Sequence, residues 1–245
     1  MRIAVAGGTG VMGRLVVAAA RAVGHEAVVI SRSAGVDLMT GAGLDEALRD
    51  VQAVIDVANV TTLSRARSVA FFETTTGNLL AAGQRAGAGH HVALSIVGVD
   101  RVKSGYYDGK LRQERLVQDG PLPWTILRAT QFFEFPEQML ARVPGPVAVV
   151  PKMLAQPVAA ADVAAELVRI AEGAPRREIL DMAGPEQLNM AVMARRVLRA
   201  RGRRRPVLQV PGTRGMAGGG LLPAGEAMLG ATRFDEWLTE TTHRP

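Results

Sequence analysis

The sequence predicts an α/β protein built on a doubly wound parallel sheet. Apolar runs rich in β-branched residues alternate with helix-compatible stretches from the first residue to about residue 130, the pattern of repeated strand–helix–strand crossovers. The first strand passes straight into a glycine turn and then a helix. Apolar residues make up 48% of 245 positions, enough for one large core, and no linker is long enough to divide the chain into two independent domains.

The elements follow in order. Met1 to Ala6 reads as a strand, and Arg14 to Val23, with four alanines, as a helix. Glu26 to Ile30 is a second strand. Asp37 and Leu38 end a short extended piece, and Leu44 to Asp50 is helix-compatible. Ala53 to Val57 is a third strand, Leu63 to Gly87 a long helix and His91 to Val97 a fourth strand. A helix carries Tyr106 and Lys110 and runs on through Gln118. Pro121 and Pro123 then break the chain, and Thr125 to Leu127 forms a fifth strand. Past Arg128 the pattern loosens. Helices are expected over Ala159–Ala171, Glu186–Arg201 and Phe234–Thr239, and strands over Glu178–Met182 and Val207–Val210. Gly212 to Gly220 holds five glycines and reads as a flexible loop.

The turn Gly7-Gly8-Thr9-Gly10-Val11-Met12-Gly13 carries the first chemical signal. Such a turn lets bare backbone approach a dinucleotide pyrophosphate, and the helix behind it offers free N–H groups to the phosphates. In this pattern the residue after the second strand meets the adenosine ribose. An acid there suits the 2′-hydroxyl of NAD and an arginine the 2′-phosphate of NADP. Arg32 stands there, nineteen positions after Gly13, and the nearest acid downstream is Asp37. NADP(H) is therefore the expected cofactor. Candidate cofactor contacts are Gly7, Thr9, Gly10, Val11, Met12, Gly13, Arg32, Ser33, Asp37 and Leu38. Ala58, Asn59 and Val60 join them at the exit of the third strand, where ligands of doubly wound sheets bind.

Tyr106 and Lys110 are four apart and share a helix face. The chain has two tyrosines and three lysines in all, so coincidence produces such a pair only a few per cent of the time, roughly. Phe132, Phe133 and Phe135 cluster after the fifth strand, as core or as pocket lining. Phe132 and Phe133 are the candidate substrate contacts.

Composition excludes several alternatives. Cysteine is absent, which removes disulfides and thiolate chemistry and suits the cytoplasm. The four histidines lack metal-ligand spacing, so no metal site is expected. No apolar run reaches membrane-spanning length and no export signal precedes the first strand, so no membrane partner is expected. The net charge is +6, carried almost wholly by arginine, with seven arginines between Arg195 and Arg205. No aromatic is interleaved there, and a solvated helix end is preferred to a nucleic-acid site.

Taken together, GGTGVMG, VIDVAN, TTTGNLLAAGQRAG, HVALSIVGVD, YYDGKLRQERLV, LPWTILRATQFFE, PVAAADVAAELV and LDMAGPE resemble the short-chain dehydrogenase/reductase superfamily over nearly the whole chain. The match is to its atypical branch of NmrA-like, NAD(P)H-binding proteins. The resemblance implies one Rossmann-type domain, residues 1–245, with a small carboxyl-terminal substrate part drawn from about residues 130–157 and 183–245. It implies Ser95, Tyr106 and Lys110 as a catalytic set. Tyr106 would give a proton to a carbonyl oxygen, Ser95 would polarise that oxygen, and Lys110 would lower the tyrosine pKa and hold the nicotinamide ribose. The implied function is NADPH-dependent reduction of a ketone, quinone or conjugated carbonyl, the carbonyl compound being the small-molecule partner of a monomer or homodimer. The alternative is a non-catalytic NADP-binding sensor. A sugar-nucleotide epimerase ranks last, because such enzymes need more chain after Arg128. One departure is that Thr74 stands where many members carry an asparagine, and Asn78 lies one turn later. The segments Thr130–Val150 and Pro211–Leu222 are expected to close over substrate.

Overall fold

The computed structural model describes residues 1–142, 145–212, 215 and 218–242. A parallel sheet of seven strands organises the chain. In spatial order these are β2 (Glu26–Ile30), β1 (Arg2–Ala6), β3 (Ala53–Asp56), β4 (His90–Ile96), β5 (Trp124–Ala129), β8 (Ile179–Ala183) and β11 (Met228–Leu229). Every neighbouring pair is parallel. The chain leaves β1 for β2 on one side and then crosses to β3 on the other, so the strand order reverses between β1 and β3. The crevice at their carboxyl ends is where such sheets take ligands.

Alternation along the strands separates two cores. Ile3, Val5, Ile55, Val92 and Leu127 face helices α1 (Val11–Ala22) and α6 (Ala160–Glu172), where Val16, Val17, Val163 and Leu167 fill the gap. On the opposite face, Ala4, Ala6 and Val54 meet α2 (Leu44–Ala47) and Leu79 and Ala82 of α3 (Arg65–Ala86). Ala93 and Ile126 meet Val117 of α4 (Gly105–Asp119) there. A further core, made by Phe133, Leu140, Val150, Met190, Met193, Val197, Phe234 and Leu238, belongs to the carboxyl-terminal part. It is built from α5 (Phe135–Arg142), α7 (Met190–Ala200), α8 (Phe234–Thr242) and two small ribbons. One pairs β6 (Ala148–Pro151) with β10 (Val207–Val210), and the other pairs β7 (Leu154–Ala155) with β9 (Leu188–Asn189).

Several expectations need correction. Residues 32–34 form a 3-10 turn, and 37–38 are not extended. Asp37 accepts from the Met39 backbone N–H (2.8 Å) in a local side-chain turn, which bends the chain. The helix expected from Glu186 begins at Met190, capped by Asn189 accepting from Ala191 N–H, because Leu188 and Asn189 pair with β7. The loosened stretch after Arg128 contains α5 and β6. Of the Gly212–Gly220 loop and the Pro211–Leu222 closing segment, residues 213, 214, 216 and 217 lie outside the described residues.

His90 and His91 begin β4 and are 3% and 0% exposed. His90 Nε2 meets Thr125 Oγ1 at 2.9 Å, whereas both His91 ring nitrogens are buried without a hydrogen-bond partner among the described residues. Burial lowers both pKa values below the ordinary 6.5, and the Asp56 carboxylate only partly offsets this at His91. The folded protein therefore refuses protons that the unfolded chain accepts. Stability is full above pH ~6.5 and falls below it, by up to ~1.4 kcal/mol per pH unit for each histidine. Urea unfolding at about pH 5 and about pH 7.5 should show this slope, and His91→Leu should flatten it. An unchanged slope in that variant would contradict the assignment.

Candidate functional site

The site begins at the glycine turn. A Cβ on Gly13 would lie 2.1 Å from the Gly7 carbonyl oxygen, so α1 can start this close to β1 only with glycine there. Gly7 in turn lies against the β3 exit, where a Cβ would stand 2.9 Å from Ala58 Cα. The amino end of α1 is capped by Gly10 with no side-chain acceptor, and its first turn holds no acid, which leaves N–H groups and positive dipole for an anion. Thr9 and Val11 are exposed, while the Met12 side chain is buried in the sheet core, so Met12 can offer only backbone. These residues form a cradle that fits a dinucleotide pyrophosphate.

Arg32 follows β2, exposed, with no hydrogen bond or ion pair of its side chain among the described residues. Ser33 Oγ lies 3.1 Å from Ser31 Oγ. Asn78 of α3 donates from Nδ2 to the carbonyls of Leu38 (2.9 Å) and Met39 (3.1 Å), tying the long helix to the loop after β2. Asn78 thus anchors the loop after β2 and makes no hydrogen bond to Tyr106 among the described residues.

The catalytic candidates sit on the other side of the crevice. The Tyr106 hydroxyl donates to Asn59 Oδ1 at 2.8 Å, which also accepts from Val60 N–H. Burial, then the neighbouring Tyr107, pushes the Tyr106 pKa upward. This reverses the expected lowering. Lys110 is 5% exposed and its ammonium turns beneath the site. It donates to the Leu94 carbonyl (2.5 Å) and to Gln113 Oε1, and lies 4.8 Å from the centre of the Phe72 ring. Burial lowers its pKa to about 8 against the pull of Asp56 and Glu114. Ser95 is buried in β4, in register with Arg128, and its Oγ has no hydrogen-bond partner among the described residues. No hydrogen bond joins Ser95, Tyr106 and Lys110 to one another among those residues.

Gly109, between the tyrosine and lysine, has a packing reason. A Cβ there would lie 2.1 Å from Ser68 Oγ on α3, and that hydroxyl donates to the Tyr106 carbonyl (2.9 Å). The glycine thus lets α4 press against α3. Of the proposed substrate contacts, Phe133 is 1% exposed and packs edge-on against Phe234 in the carboxyl-terminal core, so its ring is core and not pocket lining. Phe132 is half-buried and bridges to Val158.

Some residues at the site drew no attention in the sequence. Asp56 ends an otherwise apolar strand, and Gln113 lies one turn after Lys110. A lone acid closing the run Ala53-Val54-Ile55 was the available signal. Beyond β5, both amide atoms of Gln131 and Glu134 Oε2 are buried without partners among the described residues. In the arginine cluster, Arg196 pairs with Asp235 and Arg201 with Glu137.

The glycine cradle, the free arginine after β2 and the strand reversal define a nicotinamide-dinucleotide-binding protein of Rossmann type. The chain belongs to the NAD(P)H-binding family, whose profile matches residues 7–173. No curated protein matches it. Among solved structures it is similar to a short-chain dehydrogenase/reductase superfamily protein from Agrobacterium tumefaciens with bound NAD. The identity is 19% over 99% of this chain and 96% of that one, with a TM-score of 0.75. It is also similar to an NADPH-dependent quinone oxidoreductase from Escherichia coli complexed with NADPH, at 16% identity over 98% and 99% and a TM-score of 0.76. A UDP-glucose-4-epimerase from Stenotrophomonas maltophila with bound NAD matches at 16% over 99% and 97%, with a TM-score of 0.77. At these identities the likeness shows the fold, that of the short-chain dehydrogenase/reductases. Among the described residues no helix is long and apolar enough to cross a membrane, and no group of three or more acids and histidines could hold a metal.

Proposed function

We propose that this protein is an NADPH-dependent oxidoreductase that reduces a ketone, quinone or conjugated carbonyl, with Tyr106 as the proton donor. The observation that carries this is the half-buried Tyr106 phenol, kept protonated by burial and hydrogen-bonded to Asn59 at the β3 exit, on the opposite side of the glycine turn from Arg32. A bound reduced nicotinamide supplies the hydride and both electrons. The chain's own residues do the rest. The glycine turn and α1 hold the pyrophosphate, and Ala58 and Asn59 border it. Tyr106 releases its Oη proton to the carbonyl oxygen as that oxygen gains charge, and is reprotonated from solvent. Ser95, whose hydroxyl has no hydrogen-bond partner among the described residues, is the second donor proposed for that oxygen. The NADPH-dependent quinone oxidoreductase among the similar structures supports a quinone as one member of the substrate class. Consumption of NADPH with a panel of ketones, quinones and enones tests the proposal, and no turnover with any of them would refute it.

The cofactor preference rests on Arg32. One charge-assisted phosphate contact should favour NADPH over NADH by about 10- to 100-fold, or ~1.5–3 kcal/mol. Calorimetric titration of both cofactors should show this preference, and Arg32→Ala should erase it. Equal affinities in the wild type would contradict it.

A second reading, a non-catalytic NADP-binding sensor, is favoured by one observation. Lys110 spends its charge on Leu94, Gln113 and Phe72 and does not bring Tyr106 toward neutral pH. It predicts cofactor binding without turnover.

A further inference from the structure

We propose that Asp56, Gln113 and Lys110 form a buried polar chain that positions Asn59 and, through it, the Tyr106 hydroxyl. Lys110 then acts from beneath as a positioning residue. The inference deepens the proposed function, since it rests on Tyr106 being the proton donor.

The bonds close a ring. Lys110 donates to Gln113 Oε1, and Gln113 Nε2 donates to Asp56 Oδ2 at 2.8 Å. Asp56 Oδ1 accepts from the Ala58 N–H at 3.0 Å. Ala58 leads directly into Asn59, whose Oδ1 takes the Tyr106 hydroxyl at 2.8 Å. Tyr106 and Lys110 return to each other through one turn of α4. Asp56, Gln113 and Lys110 are 1%, 1% and 5% exposed, and buried charge is tolerated only where it is hydrogen-bonded in full. Three of the links are side chains inside the protein, and the last, Asn59, is exposed on a loop. A loop held only by its own backbone would let Asn59 wander. Here its approach is fixed from below by an acid that must keep its donors. The Phe72 ring lies 6.0 Å from the Tyr106 ring and 4.8 Å from the Lys110 ammonium, so the same side chain packs under both.

Tyr106 can be read without turnover. With Tyr107→Phe in the background it is the only tyrosine in the chain. Ring-13C-tyrosine labelling then gives one Cζ resonance, whose position at neutral pH reports the hydrogen bond of its hydroxyl. Gln113→Leu removes both bonds at the middle of the chain, and Asn59→Ala removes the exposed last link. Both should move the Tyr106 Cζ resonance at neutral pH away from its wild-type position, as the phenol loses its held acceptor. Both should slow carbonyl reduction about 10- to 100-fold, and Gln113→Leu, buried away from the cofactor cradle, should change NADPH affinity by less than about threefold. Should Gln113→Leu fail to fold, the near-isosteric Asp56→Asn takes its place with the same expected shift. A wild-type resonance position in a folded Gln113→Leu or Asp56→Asn protein overturns the proposal. So does a shift in either of these without one in Asn59→Ala, and so does a collapse of NADPH affinity in Gln113→Leu or Asp56→Asn. A wild type that reduces no carbonyl, while the resonance still shifts as expected, refutes the reductase reading and leaves the positioning chain standing.

Discussion

The Tyr106→Phe variant should bind NADPH as the wild type does and reduce carbonyls about 10²–10⁴-fold more slowly, the usual cost of removing a general acid. Phenylalanine keeps the ring against Phe72 and Tyr107 and deletes only the hydroxyl. The lost bond to Asn59 lies on an exposed loop residue, so folding should hardly change. Because burial raises the Tyr106 pKa, the phenol stays protonated across the working range. Activity should therefore show no alkaline loss attributable to Tyr106 near neutral pH. Tyr107→Phe is the control, since its ring packs on the carboxyl-terminal core and should serve equally well without the hydroxyl. Steady-state rates for both variants beside NADPH titrations decide the matter. Equal rates in wild type and Tyr106→Phe would show hydride transfer without this acid.

Glu114→Ala should cost about 3–5 kcal/mol of stability, because it removes the buried half of an ion pair and strands a largely covered guanidinium. Glu114 is 3% exposed and takes Arg128 in two parallel bonds, Nε to Oε1 at 2.9 Å and Nη2 to Oε2 at 2.7 Å. The remaining partner, Asp100 at 3.2 Å, is half-exposed and cannot replace it. For a chain of this size the melting temperature should fall by about 6–20 °C. The bridge pins α4 to β5, and α4 carries both Tyr106 and Lys110, so activity should fall with it. A thermal melt shifted by less than about 2 °C would mean that the pair is idle.

The parallel sheet, the glycine turn and its helix were legible because they obey local rules. Strand alternation and the Gly7–Gly13 spacing are properties of neighbouring residues, and so was Arg32 after the second strand. The pairing of Tyr106 with Lys110 on one helix was equally plain, and that is where local reading failed. Helical spacing placed the lysine on the tyrosine's face but could not say that its ammonium would turn inward. That was decided by the Leu94 carbonyl on a neighbouring strand, by Gln113 one turn on and by Asp56, fifty-seven positions before Gln113. The rise in the Tyr106 pKa has the same origin, because desolvation depends on what packs around a group and not on what precedes it. Phe133 was ambiguous for a like reason. Only the meeting of the segment after β5 with Phe234 and Trp237, about a hundred residues later, made it core. The sequence by itself determined the fold and the glycine turn at its amino end, since both are written in short-range periodicity. The tertiary structure alone decided how the buried charges are paired and which hydroxyl is held where, because those depend on contacts between elements far apart in the chain.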